Sequence, residues 1–518
     1  MSALSPISLE IAVVVLGILL LFVEMFAEQL DKKNLAWLGI VGLGVVFVAS
    51  FYAVVPLNAP STTGITPSYH TFYSSDDRAM FFKRFALLTT IVVLIMSVNY
   101  LGVVRKFTPG ATAQGGLGEF IALPVLTCAG LMWMASAVDF VMIFVSLELV
   151  TISFYVLVTY TRRNAASLEA GVKYLVLGAL STGFFVYGIT WIFGITGQTN
   201  LELVATFLRT YHGSPTPVLF SFVLLTIALG FKIAAVPFQI WVPDVYQGAP
   251  TPVAAFLSVG SKAAGFVVFI RVLNAFSVAP AIQGQMETIL VVIAGATLLY
   301  GNLAALPQNN LKRLLAYSSI GHAGYLLIAV ASGANEAASD AIAFYLAAYL
   351  PMTLLAFLVM ILVANESGGD DIADFNGLSR RSPLLAFAML MAMVSLAGLP
   401  FTAGFMGKFL VFQVAVAQGH YLLAALGVLA VACGFYYYLR VIRAMYFQPV
   451  GVGTDATTTI SVGLLARGTI AALIAAILIL GVYPAPLLGH FGAPLIPESA
   501  PTAQNVAKPA QSLSSTFQ

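Results

Sequence analysis

Six ionisable side chains stand inside apolar sequence, and they are the groups with which this chain could carry protons. Glu148 lies in "DFVMIFVSLELVTISFYVLV", Lys173 in "SLEAGVKYL", Lys232 in "ALGFKIAAVPF", Lys262 in "AAFLSVGSKAAGFVVFI", His322 in "LKRLLAYSSIGHAGYLLIAV" and Lys408 in "AGFMGKFLVF". A charge at the centre of a spanning helix costs about 2.5–3.5 kcal/mol on insertion scales, so such residues face the protein interior or water and by default mark a transport path. Burial favours a neutral amine and a neighbouring carboxylate favours the ammonium, so moving a countercharge loads or unloads a lysine. Imidazole, with an ordinary pKa of about 6.5, passes a proton with little bias either way.

Each has a plainer reading. Lys173, about six residues into its helix, could snorkel to the interface, whereas Lys262 is mid-span. His322 could be a hydrogen-bonded packing residue. Glu148 lies halfway along the fifth apolar run, and Lys173 in the sixth is its nearest partner along the chain, so a Glu148–Lys173 pair is expected; such a pair could also be purely structural. Glu10 and Glu24 lie near the ends of the first run, where an interfacial role is favoured.

These groups must be positioned by membrane-spanning helices. Of the 518 residues, 60% are hydrophobic and 8% charged, with a mean hydropathy of +0.96; soluble domains carry about 25% charged residues. Runs of about 20 apolar residues match the hydrocarbon core, and their continuity excludes a β-barrel. Fourteen runs begin near Ile7, Leu35, Phe85, Phe120, Phe140, Leu168, Val218, Val253, Ile289, Leu314, Ala341, Leu384, Leu422 and Gly468. The longest loops are 57–79, 105–117, 196–216, 365–383 and 448–466. The N-terminus has no basic region or cleavage site and reads as an uncleaved first helix. The Pro/Ala/Ser-rich tail is expected to be disordered at its end.

Thirteen basic residues, from Lys32 to Arg467, flank loops that follow odd-numbered spans; Arg78, Lys83, Arg84, Arg209, Arg271 and Lys508 belong to the other side. The positive-inside rule then puts both termini on the periplasmic side. We refer to these sides as the odd face and the even face. Two distant cysteines, Cys128 and Cys433, leave no cluster for zinc or iron-sulfur centres, and no basic run with interleaved aromatics suggests nucleic acid.

Proline and glycine predict two broken spans. Pro237 and Pro243 interrupt the seventh and Pro400, with Gly404 close by, the twelfth, because proline removes an amide donor and clashes with the preceding turn. Irregular backbone at that depth is tolerated where it is buried in protein or lines a wet cavity. "AVPF" (235–238) echoes "GLPF" (398–401), and "SLEAGVKYL" (167–175) echoes "ASDAIAFYL" (338–346). Both echoes join span n to span n+5. Five is odd, so spans four to eight and nine to thirteen form an inverted repeat, as in many secondary transporters. The expected fold is all-α and polytopic, divided into 1–117 (spans one to three), 118–275 (first repeat), 286–447 (second repeat) and 448–518 (span fourteen and tail).

The segments "WVPDVYQGAPTPVAAFLSVGSKAAGF", "NLAALPQNNLKRLLAYSSIGHAGY", "DDIADFNGLSRRSPLLA" and "LAGLPFTAGFMGKF" resemble the antiporter-like membrane subunits of proton-translocating NADH-quinone oxidoreductase, respiratory complex I, and most closely the subunit N type. The resemblance runs from about residue 118 to 447. It implies a charged axis across the membrane plane at Glu148, Lys173, Lys232, Lys262 and Lys408; beside that axis, Lys232 is expected to exchange its proton with Lys262 through water and His322. Lys408 stands where the M type has a glutamate, and the long lateral helix of the L type is lacking. The resemblance further implies a bacterial inner-membrane complex with K-, M- and L-type neighbours. This chain would carry no cofactor, while NAD, FMN, iron-sulfur clusters and quinone would reside in partner subunits. Related subunits also occur in ferredoxin-dependent photosynthetic complexes. The rivals are a subunit of a multi-subunit Na+/H+ antiporter and a scaffold that conducts nothing.

Overall fold

The computed structural model describes residues 5–26, 31–53, 71–108, 117–333, 335–449 and 460–488. The expected disorder of the tail end falls outside the described residues. Most of loop 57–79 and the middles of loops 105–117 and 448–466 fall outside them too.

Among the described residues, thirteen helices are long and apolar enough to cross a membrane. In order they are Ile7–Phe26, Lys32–Ala49, Asp77–Phe107, Gly118–Ser136, Phe140–Val158, Ala165–Thr196, Pro215–Ile233, Thr251–Ser277, Gln283–Ala305, Leu311–Ala331, Glu336–Ser367, Tyr421–Phe447 and Leu464–Val482. The remaining crossing, the twelfth, is a pair of shorter apolar helices, Pro383–Ala397 and Ala403–Ala417. The seventh is likewise divided: Pro215–Ile233 ends at Ala234, which is left-handed with φ 65°, and a short helix, Val242–Gly248, follows. Pro237 lies in the gap, and Pro243 sits in the first turn of the second piece, where a missing amide costs nothing. Pro400 lies in the twelfth-span gap, next to Gly398 at φ 88°.

Gly404 lies past the gap, at the second residue of Ala403–Ala417, and its role is close approach. A Cβ there would come within 1.8 Å of the Ser395 carbonyl oxygen, and its amide donates to Ser395 Oγ at 3.2 Å. Only glycine lets the two half-helices pack at that distance.

The repeat is visible in the backbone. The sixth and eleventh spans are both 32 residues, begin after Asn164 and Asn335 caps, and end at left-handed Gly197 and Gly368. Asp139 bridges to Asn200 and Asn310 to Asp371, a shift of 171 at both positions (139 to 310, 200 to 371). The first bridge joins loops on the even face and the second joins loops on the odd face. The two halves are therefore inverted, as the echo between spans six and eleven anticipates.

Four features lie beyond the sequence reading. A short helix, Leu201–Arg209, fills the loop after span six; a 3-10 turn, Ile372–Phe375, occupies the shifted position in the second half. A π-turn, Leu257–Ser261, interrupts the eighth span immediately before Lys262. The third span begins at Asp77, well before the apolar run at Phe85. It thereby takes Lys83 out of the loop where the charge count placed it.

The eighth, tenth and eleventh spans form the centre, buried along nearly their whole length, while the first, sixth and fourteenth keep wide exposed apolar faces. Continuous burial around a helix is what carries charged groups away from lipid.

Candidate functional site

The structure strings the charged residues along the two repeats but joins them through hydroxyls and carbonyls rather than through each other. Glu148, half-buried, accepts from Thr182 Oγ1 at 2.7 Å. One turn further along the fifth span, Thr151 Oγ1 accepts from the ammonium of Lys232. Lys232 occupies the last turn of the first half of span seven. Its Cβ faces Gly265, three residues past Lys262, where an added Cβ would approach it to 3.4 Å. Spans seven and eight thus meet beside both lysines.

Lys262 is buried, and its Nζ donates to both the carbonyl and the hydroxyl of Ser319 in span ten. Its Nζ lies 5.8 Å from the Tyr349 ring centroid. Tyr349 OH in turn is 2.8 Å from Ser258 Oγ, in the π-turn. A π-turn shifts the following side chains out of helical register and is often found at functional positions. Here it directly precedes Lys262.

His322 is one turn beyond Ser319 on the same helix. Its Nδ1 is 2.7 Å from Tyr345 OH, and its Nε2 is 3.2 Å from Tyr438 OH. Both ring nitrogens are therefore engaged, and the imidazole can accept on one side while it donates on the other. Tyr325, whose ring centroid is 6.1 Å from that of His322, presents its face to Lys408 Nζ at 5.0 Å. Lys408 donates to Leu396 O at 2.9 Å and Ala397 O at 2.8 Å, the free carbonyls that end the first half of span twelve. Breaking that helix is what provides these acceptors. Among the described residues no carboxylate lies within ion-pair distance of Lys232, Lys262 or Lys408.

Lys173 departs from expectation. It pairs with Asp244 and Glu169, both at 2.7 Å, and not with Glu148. The reason is depth. Glu148 is level with Thr182, nine residues along span six from Lys173, or about 13.5 Å at the helical rise. Chain adjacency brought the two helices together but not these two positions. Asp244 also accepts from Arg313 Nη1 at 2.8 Å, so the second half of broken span seven is clasped between spans six and ten at the odd face.

Glu10 departs too: it is fully buried, 2.9 Å from Lys83 Nζ, which is equally buried. Glu24 lies near the other end of span one and pairs with Lys32. Arg271, counted among the even-face charges, is buried within span eight and bonded to Asp76.

A sequence model described as "NADH:quinone oxidoreductase/Mrp antiporter, TM" matches residues 137–434, more than half of the chain. NADH-quinone oxidoreductase subunit N of Trichlorobacter lovleyi is 42% identical over 452 residues, covering 86% of this chain and 88% of that protein. The chain belongs to the NADH-quinone oxidoreductase subunit N family. A chain of respiratory complex I from Thermus thermophilus has the same architecture, at 31% identity and a TM-score of 0.73, covering 92% of this chain and 97% of the other. A chain of the Mrp complex from Dietzia shares the fold alone, at 20% identity and a TM-score of 0.76, covering 93% and 95%. The region matched to the family model contains all six singled-out ionisable residues and both broken spans, and leaves out spans one to four and span fourteen.

Within this subunit N-type chain, sequence reasoning found the charges and missed their neutral partners. Thr151, Ser319, Tyr345, Tyr349 and Tyr438 belong to residue types common throughout spanning helices, so no pattern marks them. Asp244 stood in the quoted motif "WVPDVYQGAP" and could have been flagged as an acid between prolines.

Proposed function

We propose that this chain is a proton-translocating membrane subunit of NADH-quinone oxidoreductase. It would move protons through buried lysines and a histidine while electron transfer runs in other subunits. The observation that carries the reading is that Lys232, Lys262 and Lys408 are buried against neutral hydroxyls and carbonyls, with no carboxylate in ion-pair contact among the described residues. A structural ion pair would hold each ammonium fixed; a hydroxyl accepts from an ammonium and donates to an amine equally well. In the path we propose, Glu148 biases Lys232, Lys232 exchanges with Lys262, and Ser319, His322 and the tyrosines carry the proton toward Lys408. Lys173 and its clasp with Asp244 steady the odd-face end of the broken span. Each proton moved against 100 mV requires about 2.3 kcal/mol, and NADH oxidation through cofactors in partner subunits is the source in this reading.

The same reading places the chain in a bacterial inner membrane with both termini periplasmic, beside K- and M-type subunits and the lateral helix of an L-type subunit. It treats 118–275 and 286–447 as the two working units, with 1–117 and 448–518 flanking them. The test is Lys262→Ala in the intact complex, reconstituted in sealed vesicles. Proton translocation should fall while the complex still assembles; unchanged pumping would overturn the reading in favour of a scaffold. Pumping that requires sodium would favour an Mrp-like cation/proton antiporter.

A further inference from the structure

A second buried ionisable cluster lies outside both repeats, at the junction of spans one and three near the even face. Lys83 Nζ donates to Tyr73 OH at 2.6 Å, and Tyr73 OH donates to Glu10 Oε1 at 3.1 Å. Lys83 also reaches Glu10 Oε1 directly at 2.9 Å, and neither charged side chain has any exposure. These three groups form a closed donor–acceptor ring in which every member can exchange a proton with the next. One atom stands out of the ring: Glu10 Oε2 is buried and has no hydrogen-bond partner among the described residues. A purely structural carboxylate at this depth needs all of its lone pairs satisfied, because an incompletely bonded buried ion pair is costlier than an apolar replacement.

The cluster is wired to the first repeat. Backbone bonds from Ser74 N to Ser136 O, 2.7 Å, and Val138 N to Phe72 O, 3.2 Å, stitch the Tyr73 segment to the end of span four. Asp76 of the same segment binds Arg271 Nη2 at 2.9 Å, and Arg271 also holds Ala135 O. Arg271 lies nine residues along span eight from Lys262, about 13.5 Å toward the even face. The other titratable or charged groups that act on the pair from neighbouring elements are Asp76, Arg271 and, from span four, Cys128.

We propose that Glu10, Lys83 and Tyr73 form a proton-holding site between Lys262 and the even face, receiving a proton from the Lys262 side and releasing it to even-face water. The neutral pair of ammonium and carboxylate gains one proton at Glu10 Oε2 from the Lys262 side, becoming ammonium plus carboxylic acid with net charge +1, and Glu10 then gives that proton to a water molecule at the even face, which becomes hydronium as the carboxylate re-forms. The site deepens the proton-translocation reading and rests on it.

The experiment uses the intact complex in sealed vesicles, with infrared difference spectra recorded between resting and turning-over states. A carboxylic acid band that shifts in heavy water should appear in the native complex and be lost in Glu10→Gln. The paired variant Glu10→Gln/Lys83→Met, which removes both charges together and leaves none unpaired, should assemble and lose proton translocation. Lys262→Ala serves as the reference for the parent reading. If Lys262→Ala abolishes pumping while the paired variant pumps normally and the band survives in Glu10→Gln, the pair is a fixed structural contact and the proposal is overturned. If pumping survives Lys262→Ala, it is the proton-translocation reading that fails. Should the paired variant not assemble, the native and Glu10→Gln spectra alone decide.

Discussion

Lys262 is held by Ser319 twice over, through the backbone carbonyl and through the hydroxyl, so the ammonium of span eight is fixed to the helix that carries His322. Removing the hydroxyl while keeping the carbonyl separates anchoring from proton exchange. Ser319→Ala deletes a hydrogen bond to a charged group, worth about 1.5–3 kcal/mol, yet Lys262 keeps one acceptor. Assembly should therefore survive with a lowered thermal midpoint, and pumping should slow less than in Lys262→Ala. Equal loss of pumping in the two variants would show that the hydroxyl, not the lysine's position, limits transfer.

The two tyrosines on His322 are predicted to be unequal. Tyr345 OH lies at 2.7 Å from Nδ1 and Tyr438 OH at 3.2 Å from Nε2. Hydrogen-bond strength falls with distance across this range. Tyr345→Phe should depress pumping more than Tyr438→Phe, and both should change the solvent deuterium isotope effect on pumping. An unchanged isotope effect in both would make His322 a packing residue.

Asp244 joins Lys173 and Arg313 across the odd face, with the three side chains 32%, 41% and 32% exposed. Partly exposed pairs of this kind contribute about 0–1 kcal/mol and are screened by salt. Asp244→Asn is expected to lower the thermal midpoint slightly at low salt and to make it less salt-sensitive than the native complex. A large destabilisation that persists in high salt would mean that the clasp holds span seven by packing rather than by charge.

Legibility in the sequence followed the physics of each signal. Spans were readable because hydrocarbon thickness fixes their length. The breaks were readable because Pro237 and Pro400 cannot continue a helix, and the repeat because "AVPF" and "SLEAGVKYL" each have an echo five spans further on. Depth was not readable. Glu148 and Lys173 lie on neighbouring helices yet at different levels, and Lys83 was counted with a loop because its helix starts before the apolar run does. Glu10 finds its partner on a helix 73 residues away, which nothing local announces. Neutral partners such as Ser319 carry no periodic mark at all.

Gly404 gives a steric test of the broken twelfth span. Any side chain there meets the Ser395 carbonyl, and overpacking a tight contact costs about 1–3 kcal/mol. Gly404→Ala should push the half-helices apart and disturb the Leu396 and Ala397 carbonyls that hold Lys408. Reduced thermal stability together with reduced pumping is expected; normal pumping in a destabilised complex would uncouple the carbonyl geometry from Lys408's function.

Asp76 supplies a pH signature for the junction between the third span and the first repeat. It lies just before that span. Burial pushes its carboxyl pKa up, but Arg271 and the Ala79 amide more than offset this and hold it below the ordinary 3.8. A depressed carboxylate contributes stability that is complete above the unfolded value and is lost as pH falls through the folded one. The native complex should therefore lose the Asp76–Arg271 contribution only below a pH of about 3.8, whereas Asp76→Asn lacks it at neutral pH. Protease cleavage of the chain, followed from pH 7 downward, should show the variant more susceptible at neutrality and the difference closing in acid. A gap that stays constant through the acid range would assign the effect to the fit of the substituted amide against Arg271 rather than to the charge on Asp76.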